Sequence, residues 1–334
     1  DSPALPGYLN NLGNGLGDRY ARTGRLEDLE QAQTSYATAC EQGQLLAPEV
    51  ALTAAQTWGS WASERMGWAE AVQAFDVGIA TIEQLHRAQL RRSESEAWLS
   101  GARGLHMRAA YALVQTATPA ARQRAVEVAE IGRARGLGET LARDRSDLSE
   151  IEQAHPDTYE RYRAAAEQVR QYERTDRSTT QHTDPSGITQ TPNLATLILA
   201  AREQLDTVVD EIRSLPGYGG FLRAPTYAEI VATARPEMPL VYLLTTVQGS
   251  LAMIAPFGTD EPTALLLDGF IESHLDTLLI SREGDTVVGG YLPGQLGDHT
   301  MLSTALDAAL PLLGEQLIAP LAAQLRAMGA HGVT

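Results

Sequence analysis

The segment AVQAFDVGIA (residues 71–80) occurs again, with conservative changes, as AVEVAEIGRA (residues 125–134). Ala, Val, Gly and Ala are identical at matching positions, and acidic and aliphatic residues are exchanged for residues of the same kind. A weaker copy, AQTSYATACE (residues 32–41), precedes both and has Tyr36 at the position of Phe75. Self-similarity at a fixed period is the signature of repeat proteins, so the sequence predicts three helical units.

A further helix is predicted ahead of each copy, because apolar residues recur there at helical spacing. The three runs are Leu9, Leu12, Leu16 and Tyr20; Ala51, Ala54, Ala55, Trp58, Trp61 and Ala62; and Ala102, Leu105, Ala109 and Leu113. We expect the helices of each pair to turn at Gly24, at Gly67 and at Thr118-Pro119. Small residues on one helix that face aromatic residues on the other allow close contact and make a stackable pair.

Length and composition narrow the class of protein. The chain has 334 residues, enough for two domains or one elongated domain. Its longest continuous apolar run, LATLILAA (residues 194–201), is far shorter than the roughly 20 residues that span a bilayer, so no membrane segment is predicted. The first residues lack the basic and apolar pattern of a signal peptide, so none is predicted, and the single cysteine, Cys40, favours a reducing cytoplasm.

The charge of the chain excludes one class of partner. The formal net charge is −16, and it is uneven: residues 1–190 carry 20 arginines against 26 acidic residues, and residues 191–334 carry 6 against 16. Binding to duplex nucleic acid needs a basic face that neutralises phosphates. We therefore expect no nucleic-acid partner.

Three consecutive segments are predicted, which together make a mainly α protein with a C-terminal α/β part. Residues 1–136 contain the helical repeats. Residues 137–216 form a helical hairpin whose second helix follows a polar, mobile loop at 175–192, and residues 217–334 contain the α/β part. The loop composition, TDRSTTQHTDPSGITQTP, predicts that the helix before it ends near residue 174.

The periodicity changes from helical to alternating after residue 238. PLVYLLTTV and SLAMIAPF, joined by a Gln-Gly turn, indicate a β-hairpin, and TALLLD indicates a third strand. The corresponding ranges are 239–247, 250–257 and 263–268; helices are predicted at about 270–281 and 300–328, and the final residues AHGVT (330–334) begin a strand-like run. A sheet begun and left unfinished predicts that the chain is part of a longer protein.

Few residues have the pattern of a catalytic or ligand site. Cys40 could in principle act as a nucleophile, but it lies beside Ala39 on the predicted contact face of the first repeat, where a small buried hydrophobe is expected. No two of the seven histidines have the spacing of a zinc site, so no metal is predicted. GNGLG (residues 13–17) lacks the spacing of a dinucleotide fingerprint and lies in a helix, so no cofactor is predicted.

The tryptophans are the candidate partner-binding residues. All of them lie in the repeats, at Trp58, Trp61, Trp68 and Trp98. Tryptophan on the inner face of a solenoid can anchor a protein or peptide partner, and the same residue at helical spacing also forms core. Both interpretations are open from the sequence.

The repeat pattern resembles the tetratricopeptide repeat. NLGNGL, followed by a tyrosine, a glycine, an alanine, a tyrosine and an alanine across residues 11–39, matches that signature, although the 39-residue period is longer than the usual period of about 34. AVEVAEIGRARGLGETLARD (125–144) looks like the last repeat of proteins with a CHAT domain, which is a caspase-like module. EIRSLPGYGGFLRAPTYAEI (211–230), PLVYLLTTVQGSLAMIA (239–255) and LDAALPLLGEQLIAPLAAQL (306–325) are similar to its leading segment, its opening hairpin and a helix before its central strands.

The resemblance implies a cysteine peptidase whose catalytic histidine and cysteine lie further downstream. Neither motif has a counterpart here, and no cysteine follows His331, so we expect this chain alone to be inactive. Two functions are open. The chain is the regulatory, partner-binding part of a caspase-like peptidase, with the missing C-terminal part of that domain as one partner, or it is a non-catalytic repeat scaffold.

Overall fold

A computed structural model describes residues 4–88, 104–136, 139–180, 192–296 and 299–333. The helices are α1 (Leu5–Thr23), α2 (Leu26–Leu46), α3 (Pro48–Glu64), α4 (Trp68–Ala88), α5 (Leu105–Gln115), α6 (Pro119–Gly136), α7 (Glu139–Ala154), α8 (Pro156–Thr180), α9 (Pro192–Ser214), α10 (Tyr227–Val231), α11 (Glu272–Leu279), α12 (Tyr291–Gln295), α13 (His299–Leu313) and α14 (Ala319–Ala327). The strands are β1 (Leu240–Thr245), β2 (Ser250–Ala255), β3 (Thr263–Leu267), β4 (Ser281–Glu283) and β5 (Thr286–Gly289). The prediction of a mainly α chain with a small α/β part near its C-terminus is confirmed.

The chain divides into two compact units, each made of two separate stretches of sequence. Unit 1 comprises Asp1–Ala109 and Ile131–Ala224, and unit 2 comprises Ala110–Glu130 and Pro225–Thr334. Unit 1 is helical, and the strands all belong to unit 2.

Unit 1 begins with two helical hairpins, α1 with α2 and α3 with α4. The first turns at Gly24, whose φ of 68° is left-handed and whose N–H donates to the Tyr20 carbonyl (2.8 Å). Glycine adopts this conformation without the Cβ clash that other residues meet. The second turns at Gly67, whose N–H donates to the Ala62 carbonyl (2.9 Å). Both turns are where the sequence predicts them.

Within each hairpin an aromatic ring lies against a glycine of the partner helix. A Cβ on Gly13 would stand 2.7 Å from Cε1 of Tyr36, and a Cβ on Gly59 would stand 2.6 Å from Cδ1 of Phe75. In each pair the two residues are nearly equidistant from their turn, eleven and twelve residues in the first and eight and eight in the second. Antiparallel helices therefore bring them opposite each other, and the missing Cβ makes room for the ring.

The same device joins one hairpin to the next. A Cβ on Gly17 of α1 would stand 2.8 Å from Nε1 of Trp61 of α3, and a Cβ on Gly78 of α4 would stand 2.7 Å from Cδ1 of Leu105 of α5. The core that results consists of alanines and a few large side chains: Leu16, Ala32, Tyr36, Ala39, Cys40, Ala54, Ala55, Trp58 and Ala74. The predicted contact of small with aromatic residues is present.

The later helices of unit 1 form a second core. Its buried members come from α7, α8, α9 and the segment after α9: Ile151, Tyr162, Ala165, Ala166, Val169, Ala201, Leu205, Val208, Val209, Ile212 and Phe221. Helix α9 also contacts α2, because the Arg202 guanidinium donates to the Gln44 carbonyl (2.6 Å). This contact ties the second helical group to the repeats.

The predicted start of the polar loop is wrong. Helix α8 continues to Thr180, whereas the sequence predicts its end near 174 and a loop at 175–192. The residues from 175 to 180 contain no proline or glycine, and polarity without a helix breaker does not end a helix. Residues 181–191 of the predicted loop lie outside the described residues, and α9 begins at Pro192.

A three-stranded antiparallel sheet is the centre of unit 2. Its order is β1-β2-β3, with Val241 opposite Ile254 and Ile254 opposite Thr263. Every residue of the central strand β2 is buried. The three predicted strands are confirmed, with their ends shifted by one or two residues.

Both faces of the sheet carry helices of unit 2. One face, with Ala252 and Ile254, shares a core with Leu317 and Leu321 of the C-terminal helical run. The residues that alternate with these along the strands lie on the other face. Among them is Tyr242, whose hydroxyl donates to Glu130 of α6 (2.7 Å). In the same unit the Tyr111 hydroxyl donates to Asp268 (3.3 Å). Burial of Tyr111, and secondly the negative charge of Asp268, raises the pKa of Tyr111.

Two features of unit 2 differ from prediction. The hairpin β4–β5 was not predicted, although its turn, Gly284-Asp285, with a φ of 60° at Gly284, is a recognised two-residue hairpin loop. The strand-like run at 330–334 is wrong for the described residues up to Val333. They form no strand, and the His331 N–H makes a single backbone bond, to the Glu237 carbonyl (2.9 Å), where a strand needs a ladder.

One helical run bears on membrane association. Within the described ranges, Thr300–Ala327 is long and apolar enough, by length and composition, to cross a membrane. Soluble helices pass the same test, and this run contributes Leu317 and Leu321 to the core of unit 2. The expectation of no membrane segment therefore stays a prediction.

Gly59→Ala is expected to destabilise unit 1 by about 1–3 kcal/mol, because the new methyl group overlaps the Phe75 ring. Gly15→Ala is the matched control: Gly15 also lies in a helix, has nothing within 4 Å of its added Cβ, and should be neutral or stabilising. Trp58, Trp61 and Trp68 lie in unit 1, and no tryptophan follows residue 98 in the sequence, so tryptophan fluorescence in a urea titration follows this unit. Equal midpoints for the two variants would contradict the role of the close approach.

Candidate interaction site on the helical repeats

Trp58 is a core residue. Only 3% of its surface is exposed, and its indole N–H donates to Oε1 of Glu70 (2.7 Å). A buried indole needs such an acceptor, because an unpaired buried N–H would cost about 1–3 kcal/mol. A partner therefore has no access to Trp58 in this fold.

Glu70 connects three helices of the repeats. Besides the Trp58 indole of α3, its carboxylate accepts from the Gln33 amide of α2 (2.6 Å) and from Nη2 of Arg65, which lies 2.9 Å from both of its oxygens. The side chains of Arg65 and Glu70 are 20% and 14% exposed. Charge-assisted bonds in a site of this burial are stronger than those on the surface. We call Gln33, Trp58, Arg65 and Glu70 the Glu70 network.

Trp61 lies beside this network at the edge of the repeats. The Arg65 guanidinium carbon stands 3.6 Å from the centre of the Trp61 ring, and the ring of Tyr36 is 5.5 Å away. Cation–π contact of this kind contributes on the order of 1 kcal/mol and holds both side chains in place. Trp61 and Arg65 are half-buried, so their outer edges form the accessible part of the site.

Trp68 is the first residue of α4 and is half-buried. Trp98 lies outside the described residues. Trp58 and Trp61 thus both lie near Arg65. Trp58 is buried, whereas Trp61 is half-buried.

Cys40 lies deep in the first core, as predicted. It is 1% exposed, and burial, with a smaller effect of Glu41, raises the pKa of its thiol to about 12. The thiolate is the nucleophilic form, so Cys40 is chemically inert at neutral pH. Tyr36 lies in the same core, donates to Oδ1 of Asn14 (2.7 Å), and has a pKa raised to about 12, chiefly by burial.

Other groups with potential chemistry are dispersed. His155 makes an edge-to-face contact with Tyr218, and exposed His331 lies 3.8 Å from Glu237. Across the ranges that the structure describes, no three His, Cys, Asp or Glu side chains are grouped to hold a metal ion.

The Glu70 network was not predicted. An acidic residue in the first turn of a helix is common because it interacts favourably with the helix dipole, so Glu70 has no distinguishing signal in the sequence. Its role depends on three partners, and two of them, Gln33 and Trp58, are on other helices.

No protein-family model matches the chain, and neither a curated protein nor a solved structure is significantly similar to it.

Glu70→Gln is expected to destabilise unit 1 by about 2 kcal/mol, because the amide N–H₂ would face donors and leave Arg65 without its counterion. Tryptophan fluorescence in urea measures this. Glu211→Gln is the control, because Glu211 pairs with Arg161 (2.5 Å) where both side chains are exposed, and we expect no measurable change. A double-mutant cycle with Arg65→Met should show coupling, and additive effects would contradict the network.

The stability of unit 1 should fall at alkaline pH. The pKa values of Cys40 and Tyr36 are raised from 9.0 and 10.0 to about 12, so the unfolded chain loses these protons first. Below pH 9 the two groups make their full contribution to the free energy of unfolding. This contribution is lost as the pH rises towards 12, by on the order of 1 kcal/mol per pH unit for each group. Cys40→Ala and Tyr36→Phe should each flatten this slope in urea titrations. A slope identical to that of the parent chain would refute the assignment.

Proposed function

We propose that this chain is the repeat-bearing, regulatory and partner-binding portion of a caspase-like cysteine peptidase of the CHAT family. The order of elements supports this: helical hairpins joined by glycine–aromatic contacts come first, and the antiparallel pair β1–β2 follows at the segment that is similar to the opening hairpin of a CHAT domain. In this proposal the repeats are of the tetratricopeptide type, and residues 217–334 are the N-terminal part of the caspase-like domain.

Two partners follow from the proposal. The first is a protein or peptide bound on the repeats, for which the half-buried Trp61 and Arg65 are the best-placed side chains. The second is the C-terminal part of the caspase-like domain, which would extend the three-stranded sheet of unit 2. The protein acts in the cytoplasm and needs no cofactor.

The alternative is a non-catalytic repeat scaffold. The burial of Cys40, the only cysteine, is expected for the scaffold and for the peptidase portion alike, because neither uses a thiol of this chain for catalysis. The scaffold and the peptidase portion share the repeats and differ in what the α/β part does.

The test that separates them is the natural coding sequence beyond Thr334. The peptidase proposal expects a histidine–glycine pair after one strand and a cysteine at the end of another. The longer protein should then cleave peptides, and replacing that cysteine by alanine should abolish the cleavage. A coding sequence without this cysteine leaves the scaffold as the function.

The chain of 334 residues is expected to cleave no peptide in a mixed library at neutral pH, because Cys40 is buried and protonated. Mass spectrometry of the library before and after incubation measures this. Cys40→Ala serves as control and should give the same result as the parent chain. Cleavage by the parent chain that Cys40→Ala removes would overturn the inactivity.

A further inference from the structure

The hairpin β4–β5 and helix α12 carry a concentration of exposed apolar side chains. Five large ones lie within ten residues, with exposed fractions of 44%, 43%, 37%, 45% and 90%: Val287, Val288, Tyr291, Leu292 and Leu296. Large exposed apolar side chains concentrated in one short segment are a common mark of an interaction site. We call these five residues the hairpin patch.

Both faces of the hairpin are partly exposed. Successive residues of a strand point to opposite faces, and the adjacent Val287 and Val288 are both exposed. Within the described residues, β5 pairs with β4 alone, and these strands contain four and three residues. A two-stranded ribbon of this length is marginally stable by itself and gains from a third strand.

The free edge of β5 lacks two of the features that protect edge strands from pairing, although its length of four residues is itself protective. Edge strands are usually protected by charged side chains or proline, and β5, TVVG, contains neither. The register irregularity of the hairpin lies in β4, between Ser281 and Arg282, and leaves β5 regular.

The surrounding charge specifies the chemistry of a third strand. Residues 271–296 carry four carboxylates, Glu272, Asp276, Glu283 and Asp285, against a single arginine, Arg282. Residues 225–334 as a whole carry twelve carboxylates against three arginines. A second copy of this chain would bring the same negative charge and be repelled, whereas a basic segment would be attracted.

We propose that the free edge of β5 binds an extended segment of another protein in which apolar residues alternate with lysine or arginine. Backbone hydrogen bonds to β5 would complete a three-stranded sheet. The apolar side chains of the segment would all lie on one face and cover the valine of β5 on that face, and the basic side chains on the other face would be attracted by the four carboxylates. This is strand addition at a sheet edge, where the ladder provides affinity and alternate side chains provide specificity.

Fluorescence anisotropy of a labelled short peptide that alternates Val and Lys tests the proposal. The peptide should bind the full chain, more weakly as salt is raised. Val287→Lys and Val288→Lys should each weaken binding by about tenfold or more, because they add a charge to the edge and remove apolar cover. Val247→Lys is the matched control, since Val247 is an exposed valine of the same unit (57%) outside the patch, and it should leave affinity within about twofold.

Three outcomes would overturn the proposal. The first is no binding, and the second is equal loss of affinity in Val247→Lys and Val287→Lys, which would indicate general charge attraction. The third is concentration-dependent dimerisation of the parent chain that Val287→Lys abolishes, which would make a second copy the occupant. A peptide with Glu in place of Lys should not bind, and binding of that peptide would contradict the role of charge.

Discussion

The close approach of helices at glycines is the constraint on which unit 1 depends. Tyr36 and Phe75 occupy space that any side chain on Gly13 or Gly59 would fill, and Trp61 does the same at Gly17. Each contact fixes the distance between two helices and their relative position along the helix axes. Tyr36 is also one of the largest members of the alanine-rich core, and Trp61 packs against that core, so these side chains provide both apolar burial and the register of the helices.

Polar contacts act on this stack in a second way. Glu70 accepts hydrogen bonds from donors of α2 and α3 at the first turn of α4, so the second hairpin cannot shift against the first without breaking the bond from the Gln33 amide to this partly buried carboxylate. The bond from the Trp58 indole to Glu70 also explains why the tryptophan-rich part of the helices is less accessible to a partner than its composition indicates. Trp58 is buried inside the fold, whereas its neighbour Trp61, which contacts Arg65, is only half-buried.

Much of the fold could be predicted from local patterns. Gly24 and Gly67 mark the turns because each stands between two runs of helical periodicity, and the alternating segments around Gln248-Gly249 predict β1 and β2. Predictions failed where context decides: α8 extends through polar residues that contain no breaker, and the residues before Val333 find no partner strand. The hairpin β4–β5 has its signal in Gly284-Asp285, but with strands of three and four residues the alternation is too short to recognise.

The site was less predictable than the fold. Cys40 was correctly placed in the core because it follows the small residues of the contact face, but nothing in the sequence distinguishes Glu70 from other helix-initial acids. A residue whose role comes from partners on two other helices can be recognised only when those helices are assembled. The hairpin patch is similar, since exposed valines look like core residues until their surroundings are known.

The composition of unit 2 from two distant stretches has a consequence for biosynthesis. Helices α1 to α4 are joined by short connections and make contacts that are near in sequence, so they can fold while the ribosome is still translating. Ala110–Glu130 is synthesised early, but the rest of unit 2 begins at Pro225. At ordinary translation rates roughly ten seconds pass before that second stretch is synthesised. During that interval the surface of α6 that later contacts Tyr242 has not yet met its partner in unit 2.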